Sequence, residues 1–263
     1  MGTWLGQQGV RLDPPLWSAH ALIDCPEKVF EAHQAYAEAG ADIHTANSFR
    51  CQPGRHPDWE SLLQKSVDLA REAAQLGSRV AGSLAPIEDC YRPDLSPKDC
   101  LHGHTTMANA LANAGVDLIL CETFPNPVEA LVAVNAGVQT GKETWLMLTA
   151  GPDASLLEPE ALLLCAQRAL DAGASIVGIN CTAATRLSPF VAALASNRLP
   201  MALSANAGED SEGMGWNTPP EEAASRYAAE AQKWLAAGAL VIGSCCGTGP
   251  AHTKALRALI DGR

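Results

Sequence analysis

The chain has 263 residues, 47% of them hydrophobic, and carries a formal net charge of −11. So acidic a chain lacks the basic patch that nucleic acid or an anionic membrane surface would need, and no apolar stretch approaches the ~18 to 20 residues of a membrane span. The length suits one domain with a large core over residues 1–263.

From the N-terminus, the first residues read as the loop that follows a strand, and they lack the pattern of a signal peptide. Val29, Ala32, His33, Tyr36 and Ala37 share one helical face, which predicts a helix over 26–39 closed by Gly40. A strand over 41–49 follows, then a helix over 59–76 and a strand over 79–86. Residues 89–96, with Pro93, read as a loop in which Glu88, Asp89 and Asp94 face water. A helix over 97–114 leads into a strand over 115–124 that ends in Glu122. The remaining order is helix 127–140, strand 144–150, helix 159–172, strand 175–182, helix 189–196, strand 200–208, helix 219–237, strand 240–245 and helix 251–260.

Gly40, Gly115, Gly173 and Gly238 each end a helix just before a strand, where glycine supplies the left-handed cap of an αβ loop. Regular βα alternation implies a parallel sheet, and the fold class is α/β, of the (β/α)8 TIM-barrel type. Seven strands are countable where a closed barrel has eight, so the first strand is expected to precede Met1.

Nine cysteines, an odd number without framework spacing, read as reduced thiols of a cytoplasmic protein. By default a free cysteine packs as a small hydrophobe, which accounts for Cys25, Cys51, Cys90, Cys100 and Cys165. Cys121 precedes Glu122 and so faces the other side of its strand. Three thiols differ. Cys245 and Cys246 are adjacent at the C-terminal end of an apolar run, and Cys181 ends another such run. In α/β folds this end of the strands carries the chemistry. Neighbouring cysteines bond to each other poorly but can share an ion. Together the three would hold Zn2+ and leave its fourth position open. Three thiolates make such an ion a poor activator of water and better suited to holding an incoming thiol.

The segments Gly178-Ile179-Asn180-Cys181, Gly243-Ser244-Cys245-Cys246-Gly247-Thr248, Cys121-Glu122-Thr123-Phe124 and Thr45-Ala46-Asn47-Ser48-Phe49 resemble the homocysteine S-methyltransferase family, over essentially the whole chain. The S-methylmethionine-dependent branch is most similar, through Leu16-Trp17-Ser18-Ala19 and Gly82-Ser83-Leu84-Ala85-Pro86. The resemblance implies zinc bound by Cys181, Cys245 and Cys246, and Glu122 holding the amino group of homocysteine. It gives Asn206 a part in shaping the pocket. Members of the family begin with a strand ending in Asp-Gly, ahead of a Met-Gly-Thr like the one at Met1. Either a strand and its substrate-contacting aspartate precede Met1, or the barrel has an open seam, whose bare edges would cost stability.

The implied reaction moves a methyl group from a sulfonium donor, S-methylmethionine or S-adenosylmethionine, to the thiol of homocysteine, giving methionine. Trp216, Trp17 and Phe49 are candidates for a wall against the cationic donor. His102 and His104 are read as surface polar residues of a helix. The alternative is a non-catalytic or weakly active thiol- or metal-binding barrel that has lost part of its substrate site with the N-terminal strand. The expected partners are small molecules.

Overall fold

The computed structural model describes residues 1–262. Three helices open the chain, α1 (Gly2–Gln7), α2 (His20–Asp24) and α3 (Pro26–Glu38). Strands and helices then alternate as β1 (Ile43–Thr45), α4 (Trp59–Ala73), β2 (Arg79–Leu84), α5 (Leu101–Asn113), β3 (Leu118–Phe124), α6 (Pro127–Gln139) and β4 (Glu143–Leu148). The second half continues with α7 (Pro159–Asp171), β5 (Ile176–Ala183), α8 (Ser188–Ser196), β6 (Met201–Asn206), α9 (Pro220–Ala236), β7 (Val241–Ser244) and α10 (Pro250–Asp261). No helix among the described residues is long and apolar enough to cross a membrane.

All seven strands are parallel and hydrogen-bonded in sequence order, β1 to β7. Side chains that alternate to the inner face meet in one small apolar cluster of Ala81, Leu118 and Trp145, with Ile43, Leu120, Ile176 and Val241 packed on it. Six different strands reach that cluster, which a flat sheet does not permit. The sheet is therefore curled into a TIM-barrel-like shell, with the larger core lying between it and the helices. Among the described residues β1 and β7 do not pair with each other. At that seam Arg257 of α10 forms an ion pair at 2.9 Å with Asp42, just ahead of β1.

Two expectations change here. Residues 2–7 are helical rather than loop. The strand expected over 41–49 spans only Ile43–Thr45, because side chains take over the ladder bonds beyond it. Ser48 Oγ donates to Ser83 O and accepts from Ser83 N, while the Asn47 amide is held by Ser18 through Oγ at 2.7 Å and through its carbonyl at 2.9 Å. Side-chain bonds from elsewhere in the chain thus stand in for the backbone ladder and end the strand early.

Close backbone approach sets one strict requirement. A Cβ added to Gly178 in β5 would lie 1.7 Å from Ala202 O of β6, so Gly178→Ala forces the strand pair apart. Overpacking of this severity should cost about 3 kcal/mol or more, read as a lower urea midpoint.

His33 of α3 and His44 of β1 stack edge to face with ring centroids 5.7 Å apart. Burial drives the His33 pKa down to about 3, so the folded protein keeps this ring neutral while the unfolded chain, near 6.5, takes up a proton. Stability from this group is full above pH 6.5 and lost as pH falls towards 3. Replacing His33 with leucine should therefore reduce the loss of unfolding free energy between pH 7.5 and 5.0 by about 2 kcal/mol, measured by urea denaturation at the two pH values.

Candidate active site

The C-terminal ends of β3, β5 and β7 converge on a cavity of about 780 Å³ that Glu122, Asn180, Cys181, Cys245 and Cys246 all line. Regular alternation carries Leu118, Leu120 and Glu122 to the inside of the barrel, and Gly178 and Asn180 likewise. Cys181 falls on the wrong parity and would face the helices. It reaches the cavity because its backbone is left-handed, with φ 51°, at a register shift between β5 and β6. Thr123, with φ 62°, sits at a matching shift between β3 and β4. Each such residue costs about 1–2 kcal/mol, and a bulge at this point re-aims a side chain.

The sulfurs of Cys181, Cys245 and Cys246 lie within 4.8 Å of one another. The sulfurs of Cys181 and Cys245 are in contact, with Cα atoms 5.7 Å apart, and the Cys246 sulfur is 4.0 Å from that of Cys245. Zinc–sulfur bonds of about 2.3 Å in a tetrahedron place sulfurs roughly 3.8 Å apart, so the cluster has about the right size and the softness for one ion. Burial pushes the Cys246 thiol above its ordinary pKa. A divalent cation reverses that logic, because a coordinating thiol gives up its proton. The donor set thus fits a thiophilic metal.

The turn carrying the pair is fixed on every side. Cys245 N donates to Ala205 O at 2.7 Å, Ala207 N to Cys246 O at 2.9 Å, and Gly247 N to Thr3 Oγ1 of α1 at 2.9 Å. Thr248 Oγ1 donates to Cys245 O at 2.6 Å. Beneath it, the buried Tyr227 hydroxyl bridges Ala205 O and Gly243 O at 2.9 and 3.0 Å. Gly247 has φ 80°, and a Cβ there would strike Ala207 and the Trp216 ring, each at 2.7 Å.

Glu122 is held by Ser83 Oγ at 2.5 Å and Asn180 Nδ2 at 3.2 Å. Burial raises its pKa, and the Ser83 hydrogen bond works against that rise. Asn206 donates from Nδ2 to Cys181 O at 3.1 Å and accepts from Gly208 N at 2.9 Å. It thus tethers the strained cysteine.

Of the three aromatic candidates, Trp17 and Phe49 line the cavity and pack edge to face at 5.9 Å. Trp216 does not line it. Its indole nitrogen donates to Gly208 O at 2.8 Å and its ring covers Gly247. The surface reading of His104 is also corrected. His102 is exposed, but His104 is buried and its Nε2 lies 3.0 Å from Glu129 Oε1, which also accepts from Ile87 N at 2.9 Å. Two residues rotate the helix by about 200°, which carries one histidine to the solvated face and the other to the packed one, and the His104–Glu129 pair anchors the segment after β2.

Sequence reasoning left Ser83, Thr123 and Asn180 without roles. Parity would have placed Asn180 beside Glu122; nothing in the residue types announces the left-handed kinks.

The chain matches the family model described as Homocysteine S-methyltransferase over residues 1–260. It is 33% identical to homocysteine S-methyltransferase of Escherichia coli (strain K12), covering 98% of this chain and 92% of that protein. Homocysteine S-methyltransferase 1 of Zea mays is 28% identical, with coverage of 99% and 92%. The crystal structure of the homocysteine methyltransferase MmuM from Escherichia coli in a metallated form superposes with a TM-score of 0.79 at 27% identity, covering 98% of this chain and 93% of that one.

The support under the cysteine turn is testable by itself. Tyr227→Phe removes the hydroxyl donor beneath the turn while Ala205 O keeps its bond from Cys245 N, and should lower stability by about 1 kcal/mol, seen as a drop in urea midpoint with the ring packing kept.

Proposed function

The chain belongs to the homocysteine S-methyltransferase family, and as an enzyme of that family we propose that it transfers a methyl group from a sulfonium donor to homocysteine, forming methionine, with zinc at Cys181, Cys245 and Cys246. The carrying observation is the convergence of three sulfurs within 4.8 Å in the cavity that also holds the Glu122 carboxylate. We read residues 1–263 as one homocysteine-binding (β/α)8-type domain working in the cytosol, where its thiols stay reduced.

Zinc held by the three thiolates supplies a soft Lewis-acid position that favours the thiolate form of a substrate thiol, whose free pKa is about 8.5. The chain's own residues do the rest. Glu122, buried and already fixed through two hydrogen bonds, offers a charge-assisted contact to the substrate ammonium. That contact sets where the sulfur points. Asn206 holds the Cys181 carbonyl and keeps the thiol end of the pocket in shape. Trp17 and Phe49 present aromatic edges and faces to the donor's cationic centre. In the transfer, the homocysteine sulfur forms the new S–CH3 bond as the donor's S–CH3 bond breaks with its electron pair returning to the donor sulfur. Nothing is deprotonated at the methyl group, so no general base is required there. Alignment and exclusion of water supply the rate.

The test is methionine formation by the reduced, zinc-loaded chain from homocysteine with S-methylmethionine, S-adenosylmethionine or betaine. Turnover with a sulfonium donor, abolished by a chelator and restored by zinc, is the expected result; turnover that survives full metal removal refutes the reading, and no turnover leaves the weakly active barrel. Cys246→Ser should lower kcat/KM by at least about 10³-fold, the scale of several kcal/mol of transition-state stabilisation. Glu122→Gln should raise the KM for homocysteine by about 10- to 100-fold, the worth of a charged hydrogen bond.

A further inference from the structure

Asn180 is 2% exposed, and among the described residues its carboxamide bonds to β3 alone. Oδ1 accepts from Thr123 N at 3.0 Å, and Nδ2 donates to Thr123 Oγ1 at 2.9 Å and to Glu122 Oε2 at 3.2 Å. The amide cannot be turned over, since the Thr123 N–H needs an acceptor and the two oxygens on the other side need a donor. β4 separates β3 from β5 in the sheet, so this side chain spans the inside of the barrel. On its far side Glu122 Oε1 is held by Ser83 of β2. On its near side the next residue in the chain is Cys181, kinked into the left-handed region. One residue therefore ties the carboxylate at one end of the site to the thiol at the other, and ties both to the strained Thr123.

We propose that Asn180 is a positioning residue that sets the span between the Glu122 carboxylate and the Cys181 sulfur, and so makes the site selective for thiols carrying an ammonium at the homocysteine spacing. This rests on Glu122 as the ammonium anchor argued above. A thiol without that amino group draws nothing from Glu122, so it is indifferent to where Asn180 holds it. Losing Asn180 should remove the preference for the amino acid while sparing the metal and its affinity for a plain thiol.

The experiment uses cobalt(II)-loaded full-length protein, whose thiolate-to-metal absorption responds to an added thiol. Wild type, Asn180→Leu, Asn180→Asp and Glu122→Gln are titrated with homocysteine and with 4-mercaptobutyrate, the same molecule lacking the amino group. The expected result is one cobalt per chain in all four, with wild type preferring homocysteine. Asn180→Leu should weaken homocysteine by about 10- to 100-fold, the worth of the hydrogen bond that orients the charge, while 4-mercaptobutyrate shifts by less than about threefold. Asn180→Asp keeps the acceptor for Thr123 N but has no donor for Glu122, and should lose the preference equally. In turnover the loss should sit in KM for homocysteine rather than in kcat. Undiminished preference in both Asn180 variants, an equal loss for both thiols, or loss of cobalt overturns the proposal alone. Absence of any preference in wild type overturns the ammonium reading as well, which separates the two failures.

Discussion

Three sulfurs on two strands that are not neighbours must meet at one point, and most of the molecule is arranged to allow it. β6 lies between β5 and β7, so Cys181 can approach Cys245 only across the concave side of a curled sheet. At Gly178 the absence of a side chain lets the neighbouring β5 and β6 backbones approach closely. Even then the cysteine has the wrong parity. The left-handed backbone at Cys181 corrects it, and the surrounding hydrogen bonds, Asn206 on its carbonyl and Asn180 before it, hold the correction in place.

The same enclosure sets the electrostatics. A carboxylate and a thiol are both disfavoured as ions when buried, and Glu122 and Cys246 both shift upward for that reason. A positive charge placed beside either group would favour its ionised form.

Much of this was legible from residue order. The αβ glycines, the strand ends and the cysteine pair gave a parallel α/β shell, with its chemistry at the C-terminal edge of the strands. Strand lengths were less legible: β1 is cut short by Ser48 and Asn47, whose partners, Ser83 and Ser18, are 35 and 29 residues away. The helix Gly2–Gln7 was missed because what holds it is tertiary: Leu5 is fully buried in the core, and Thr3 Oγ1 accepts from Gly247 N, 244 residues on. His104 was misplaced because one polar residue on a buried helix face looks like any other until Glu129 is found opposite. Trp216 was sent to the cavity by its type, whereas its backbone, at φ 48°, and the bare Gly247 beneath it seat it on the cysteine turn.

That seat ties two segments into one mechanical piece. The stretch after β6 rests its indole on the residue following the thiol pair and accepts no side chain there, so it cannot drift in shape without dragging the metal-side geometry along. The segment after β2 is anchored elsewhere, through Glu129 and Arg50. The two segments therefore differ in freedom: the one after β6 is fixed to the cysteine turn, whereas the one after β2 is held by contacts that do not touch that turn.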